Sequence, residues 1–107
     1  MTTHHLFFYC TQDGILVDEQ AQSMDCGDIV VFYTDSSTSS NKSNQSGVEI
    51  HILDPGVFGA DLSKFTITEG NPIARRVLQG LSNNSYAYLF QSQKCKDNQQ
   101  AQFIING

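Results

Sequence analysis

Short runs of apolar residues alternate along this chain with polar connections that contain glycine, asparagine, serine or aspartate. The apolar runs are rich in β-branched and aromatic residues, which are typical of strands. We therefore predict strands at residues 5–11, 15–17, 29–33, 48–53, 65–68, 86–90 and 101–105. Asp13 and Gly14 separate the first two runs, and an Asp-Gly pair in this position indicates a tight hairpin turn.

One later segment has its apolar residues at the spacing of a helix. Asn71 is a good N-cap, and Pro72 suits the first helical position. The apolar stripe over residues 72–82 consists of Ile73, Ala74, Val77, Leu78 and Leu81. This combination predicts an α+β fold, with an antiparallel-rich mixed sheet of about five to seven strands and one main helix packed on one face.

The chain length of 107 residues predicts one domain that spans residues 1–107. Residues 35–46 contain no apolar side chain, and such a Ser/Asn-rich stretch predicts a mobile surface loop. No apolar run is long enough for a transmembrane helix, so we expect no membrane partner. The N-terminus lacks the basic residues and the cleavage site of a signal peptide.

The three cysteines, Cys10, Cys26 and Cys95, have no metal-binding spacing. An odd number of cysteines does not suit a disulfide framework and favours reduced thiols in a reducing compartment. We therefore expect a cytoplasmic protein. Cys95 lies between Lys94 and Lys96, and two neighbouring ammonium groups would make it the most reactive of the three thiols.

Acidic side chains outnumber basic ones by 11 to 6, which gives a formal net charge of −5. Six of the acids lie between Asp13 and Asp35, a segment without a base. A field of this sign repels nucleic acid and attracts basic proteins. The main prediction is therefore a small, soluble, non-enzymatic binding module, like an inhibitor or an immunity protein, that docks a basic protein partner. The predicted contacts are Asp18, Glu19, Asp25 and Asp28.

The sequence contains no motif for catalysis, nucleotide binding or a cofactor. His4 and His5 are adjacent, so they would point to opposite faces of a strand and could not hold a metal together. His51 and Glu49 share a strand face, which is the ordinary arrangement of exposed polar residues. We therefore predict no catalytic residue, no metal site and no cofactor.

A second hypothesis stays open at this point, namely a small ligand-binding domain or enzyme with a pocket between helix and sheet. Such pockets need few polar groups and leave little trace in a sequence. The residues that would line it are Tyr33, His51, Tyr86, Tyr88 and Cys26. The alternating strand at 48–53 is also expected to be an edge, through which two copies could form a homodimer.

Overall fold

The computed structural model describes residues 1–11, 14–34, 47–92 and 97–107. Over these ranges the chain forms strands, turns and two short 3-10 helices, Pro55–Val57 and Ala60–Leu62, and it contains no α-helix. The strands of the described residues are β1 (Thr3–Thr11), β2 (Gly14–Val17), β3 (Ala21–Asp25), β4 (Ile29–Thr34), β5 (Val48–Ile52), β6 (Lys64–Ile67), β7 (Ile73–Arg76), β8 (Asn84–Ser92) and β9 (Asp97–Asn106).

The strands form two mixed sheets that pack face to face as a β-sandwich. The four-stranded sheet has the order β2-β1-β4-β7, and the five-stranded sheet has the order β3-β9-β8-β5-β6. The pairs β1–β4 and β3–β9 are parallel, whereas the other neighbouring pairs are antiparallel. The chain changes sheet after β2, β3, β4, β6 and β7, so each sheet combines strands that are distant in sequence.

Aromatic side chains from the inner faces of both sheets fill the space between them. Phe8 of the four-stranded sheet packs edge-to-face on Phe90 of the five-stranded sheet, with ring centroids 5.0 Å apart. Phe32 makes the same kind of contact with Phe65, also at 5.0 Å. Such pairs contribute about 0.5–1.5 kcal/mol each beyond the apolar area that they bury. They therefore fix how the two sheets are placed on each other.

The predicted α+β fold is wrong, because the expected main helix at 72–82 does not form. Ile73–Arg76 form β7, which pairs antiparallel with β4 and places Ala74 opposite Val31. Leu78 of the expected apolar stripe is 40% exposed. Gly80 has a φ of +81°, a left-handed conformation that ends regular structure inside the predicted helix.

The reason for this difference is that the backbone of the segment is paired with distant residues. The N–H of Val77 donates to the carbonyl of Asp28, and the carbonyl of Val77 accepts from the N–H of Gly27. These bonds continue the β4–β7 pairing beyond β7. Helix propensity is a weak preference, and long-range pairing in the sheet outweighs it here.

The expected edge strand at 48–53 is also wrong. β5 pairs with β6 on one side and with β8 on the other, so it offers no free edge for a homodimer.

The hairpin strands β1 and β2 are confirmed as an antiparallel pair, with Thr11 opposite Gly14. The predicted mobile loop at 35–46 lies outside the described residues, and so do residues 12–13 of the hairpin turn. Among the described residues, no helix is long and apolar enough to cross a membrane.

Candidate functional site

The acidic residues that the sequence suggested as partner contacts differ in their exposure. Asp18, Glu19 and Asp25 are exposed, whereas Asp28 is buried. Asp18 accepts a hydrogen bond from the backbone N–H of Phe7 at 3.1 Å, which is a structural role beside β1. The burial of Asp28 prevents any direct contact with a partner.

Asp28 instead joins the start of β1 to the turn between β3 and β4. Its carboxylate accepts the backbone N–H groups of Thr2 at 2.9 Å and Asp25 at 3.0 Å, and it lies 2.8 Å from Nε2 of His4. The Asp25 N–H, followed by the His4 side chain and the Thr2 N–H, lowers the pKa of Asp28 to about 2. The carboxylate is thus a buried anion that holds three segments together.

The residues suggested for a pocket between helix and sheet are dispersed, because that helix does not exist. Tyr33 lies on the outer face of the four-stranded sheet, and His51 lies on the outer face of the five-stranded sheet. Tyr86 is half-buried, with its hydroxyl directed to the carbonyl of Ser82. Tyr33 and His51 line two separate clefts on opposite sides of the sandwich.

Tyr88 and Cys26, the other two suggested residues, belong to the interior. Tyr88 is fully buried, its ring stacks on Phe103 at 4.3 Å, and burial raises the pKa of its hydroxyl far above the ordinary value. Cys26 is free and packs beside the core, with its thiol 3.8 Å from the carbonyl of Leu81. Neither residue is placed to receive a ligand.

The expectation of reduced thiols is wrong for Cys10, which is disulfide-bonded. Cys10 is buried in β1, where its inward position follows from the alternation of that strand. Cys95 lies outside the described residues. A disulfide stabilises a fold mainly by restricting the unfolded chain. Cys10 therefore has a structural role and offers no free thiol.

A cleft of about 310 Å³ lies at the end of β4, between β1 and the turn that connects β6 to β7. We call it the Tyr33 cleft. Its lining combines two aromatic rings, two threonines, one carboxylate and one proline, namely Phe7, Tyr33, Thr34, Thr68, Glu69 and Pro72. A concave site with apolar walls and a few polar groups is the usual form of a small-molecule site.

Thr34 is the unusual member of this lining. The residue is only 5% exposed, and among the described residues its Oγ1 has no hydrogen-bond partner. Buried hydroxyl groups are normally paired, because an unpaired one loses its bonds to water without replacement. The alternation of β4 places the Thr34 side chain on the inner face, opposite to Tyr33, so this hydroxyl belongs to the interior and does not face the cleft.

The aromatic wall of the cleft is a stack of rings across β1 and β4. Phe7 lies opposite Tyr33 in the parallel register, and their rings stack with centroids 4.8 Å apart. The Tyr33 hydroxyl lies 2.9 Å from Nδ1 of His5, whose ring also stacks on Tyr33 at 5.5 Å. These contacts hold Tyr33 in place although Phe7 itself is 39% exposed.

A tight turn forms the opposite wall. The N–H of Asn71 donates to the carbonyl of Thr68 at 3.0 Å, and the Asn71 side chain donates to Oγ1 of Thr68 at 3.2 Å. Gly70 has a φ of +80°, which suits the third position of such a turn. Glu69 is thereby held at the exposed tip of the turn.

The sequence analysis did not identify Phe7, Thr34 or Glu69. One signal was present, since Phe7 lies between the buried Leu6 and Phe8 and must point to the opposite face of the sheet. A large aromatic residue on a solvent-facing position is informative when neighbours share it, as Tyr33 does. That β1 and β4 are neighbours is a tertiary fact, which no local pattern contained.

A second cleft, of about 250 Å³, lies on the outer face of the five-stranded sheet. Its polar lining includes Glu49, His51, Lys64 and Gln91, and Gln91 donates a hydrogen bond to Glu49 at 3.1 Å. Its described lining contains no stacked pair of aromatic rings such as Phe7 and Tyr33. It therefore gives less reason than the Tyr33 cleft to expect a ligand.

Comparison with solved structures identifies the class of fold: the chain is similar to β-sandwiches of the cupredoxin type. An oxidised variant of amicyanin has a TM-score of 0.55 at 10% sequence identity, over 95% of this chain and 82% of that chain. A reduced Cu(I) form of another amicyanin variant has a TM-score of 0.54, with the same identity and coverage. Auracyanin B has a TM-score of 0.53 at 9% identity, over 99% of this chain and 89% of that chain.

No protein-family model matches the sequence, and no curated protein matches it. At about 10% identity the structural similarity establishes the fold alone. The fold is nonetheless enough to correct two further expectations. An α+β docking module for a basic protein partner does not agree with an all-β cupredoxin-like sandwich. The open alternative, a pocket between helix and sheet, fails because the structure has no such helix.

One of the similar amicyanin structures is a Cu(I) form, which raises the question whether the histidines of this chain lie close enough together to bind copper. Blue-copper sites bind the metal through two histidines and one cysteine thiolate, with a weak axial ligand. His4 points inward, and its ring nitrogens lie beside Asp28 and Gln22. His5 lies on the outer face of one sheet and His51 on the outer face of the other.

The three histidines therefore lie on three different sides of the two sheets, which are stacked roughly 10 Å apart in a sandwich of this kind. All three belong to described strands, so no pair of them converges on one metal. Among the described residues, no group of three histidine, cysteine, aspartate or glutamate side chains could hold a metal ion. The described residues of this chain do not fit a blue-copper centre.

Proposed function

We propose that this chain is a copper-independent, ligand-binding β-sandwich and that the Tyr33 cleft is its binding site. The observation that carries this proposal is the stacked pair of Phe7 and Tyr33, which forms one wall of the cleft, with the turn that carries Glu69 as the other wall. A concave surface with an aromatic wall and a few polar groups is the usual form of a small-molecule site.

The walls of the cleft support the same proposal. The Phe7–Tyr33 stack supplies apolar contact area, and its geometry is set by the pairing of β1 with β4 in the middle of a sheet. A site on paired strands is more rigid than one on a free loop, which lowers the entropy lost on binding. The turn that carries Glu69 closes the other side.

Protein-observed NMR tests the site. The probes are benzylammonium, benzyl alcohol and benzoate, added first as a mixture, and we expect amide shifts concentrated at Phe7, Thr34 and Gly70. The variant Phe7→Ala removes one ring of the aromatic wall, so it should weaken probe binding severalfold. Leu62→Ala, which shortens an apolar side chain of similar exposure outside the cleft, is the matched control.

Two results would overturn this assignment. One is a set of shifts centred on Glu49 and His51 in place of the Tyr33 cleft. The other is equal probe binding by the wild type and Phe7→Ala. In either case the Phe7–Tyr33 stack is not the wall of a ligand site.

Titration with Cu(II) tests copper independence separately. We expect no intense visible absorption of the kind that a thiolate–copper bond produces, because Cys26 is not near a pair of histidines. Any weakly bound copper should be removed by a chelator. One equivalent of copper held with such an absorption band, and lost in Cys26→Ser, would show that the copper-independent assignment is wrong.

The cellular location remains a prediction. The sequence favours the cytoplasm, but disulfides are rare in cytosolic proteins, so the disulfide of Cys10 argues for an oxidising compartment. Fractionation of the native host, with thiol labelling in each fraction, distinguishes the two. Recovery of the protein in the cytosolic fraction would support the sequence-based expectation.

A further inference from the structure

We propose that the ligand of the Tyr33 cleft is a small organic cation, an amine that carries an apolar body. This inference rests on the binding function proposed above. It goes beyond that function because it specifies the charge of the ligand, and the charge follows from groups other than the Phe7–Tyr33 stack.

The first step of the argument is the charge of the cleft. Glu69 is the only charged residue of the lining among the described residues. This carboxylate repels an anionic ligand, whereas it attracts a cation and compensates its charge.

The second step is the hydrogen-bonding chemistry. An ammonium group has three donors and no acceptor. The lining includes Glu69, whose carboxylate accepts such donors, and Thr68, whose hydroxyl also accepts them. Thr68 already accepts one hydrogen bond from the Asn71 side chain, and a hydroxyl oxygen can accept two. Two acceptors of this kind suit an ammonium group.

The third step concerns the apolar part of the ligand. Phe7, Tyr33 and Pro72 form the remaining walls, and they have no charge to offer a second ionic group. A ligand with charges at both ends would leave one of them against these side chains. The expected ligand thus has a single cationic end and a carbon-rich body.

The test uses three probes that share one ring and differ in charge: benzylammonium, benzyl alcohol and benzoate. Each is titrated separately at neutral pH into the wild type, into Glu69→Gln and into the control Asp61→Asn, an exposed carboxylate in a 3-10 helix. The amides of Thr34 and Gly70 report binding. Glu69 is exposed at the tip of a turn, so its substitution should leave folding intact.

We expect benzylammonium to bind best and benzoate worst. Glu69→Gln should weaken benzylammonium binding by about tenfold, the effect of losing one charge-assisted hydrogen bond. The same variant should leave benzyl alcohol unchanged, and Asp61→Asn should leave all three probes unchanged. Added salt should weaken the binding of the cation and not that of the alcohol.

Failure of this inference can be told apart from failure of the proposed function. If benzyl alcohol binds as tightly as benzylammonium, or if Glu69→Gln keeps the preference for the cation, the ligand is not selected by this charge. The cleft would then still be the site, provided that Phe7→Ala weakens the binding of all probes. If no probe shifts the cleft amides in the wild type, both proposals are wrong.

Discussion

The substitution Asp28→Asn tests the role that the structure gives to a buried carboxylate. Asp28 accepts the N–H groups of Thr2 and Asp25 and contacts His4. Both carboxylate oxygens of Asp28 contact N–H groups. In asparagine an NH2 group replaces one of these oxygens, so a donor would face a donor. We therefore expect a large loss of stability from a change of a single atom.

The magnitude follows from the pKa of Asp28. Folding lowers it from 3.8 to about 2, which corresponds to roughly 2 kcal/mol of stabilisation by the charged form. Because the pKa is lower in the folded state, this contribution is complete above the unfolded value of 3.8. It is lost as the pH falls from about 4 to about 2. Asp28→Asn should cost about 2–3 kcal/mol at pH 7, and less as the pH approaches 2.

Urea denaturation followed by tyrosine fluorescence, at pH values from about 2 to 7, measures this effect. The wild type should lose stability relative to Asp28→Asn below about pH 4, so the two curves converge. Asp61→Asn, at an exposed position, should follow the wild type. A cost below about 0.5 kcal/mol at pH 7, or a difference that does not change with pH, would refute the assigned role of Asp28.

Three further predictions concern the core and the thiols. Tyr88→Phe should raise stability by about 1 kcal/mol in urea denaturation, because the buried Tyr88 hydroxyl has no partner among the described residues; a loss of stability would indicate a partner for that hydroxyl. Leu78→Ala should lower the free energy of unfolding by less than about 1 kcal/mol, because Leu78 is 40% exposed. Leu6→Ala, at a buried position, should lower it by about 2–5 kcal/mol. Equal losses would show that Leu78 is buried, as the helix prediction required. Alkylation after denaturation without reductant should modify Cys26 and spare Cys10 until a reductant is added, as peptide mass spectrometry would show; modification of Cys10 before reduction would contradict its disulfide.

Much of the strand structure could be predicted from local pattern. The alternation of Val48, Ile50 and Ile52 with Glu49 and His51 is the direct consequence of side chains that point to opposite faces, and the structure buries the first three. The aromatic-rich runs likewise became β1, β4, β8 and β9. These predictions succeeded because a strand with one buried face needs only its own residues to specify that face.

The segment from Ile73 to Leu81 shows the limit of local pattern. Its apolar spacing and its N-cap favour a helix, yet it forms β7 and a turn. The deciding contacts are with β4 and Asp28, more than forty residues earlier in the chain. A helix there would have left one edge of β4 without a partner, and that cost does not appear in any window of sequence around residue 75.

The candidate site depends on tertiary structure in the same way. The sequence by itself determined that Phe7 and Tyr33 point away from the core, since their neighbours in β1 and β4 are buried. Only the parallel pairing of β1 with β4 placed the two rings 4.8 Å apart, and only the turn after β6 brought Glu69 to Thr34. The direction of a side chain is set by the local backbone. Which distant side chains share a cleft is set by the register between strands, and that register is a property of the whole packed sandwich.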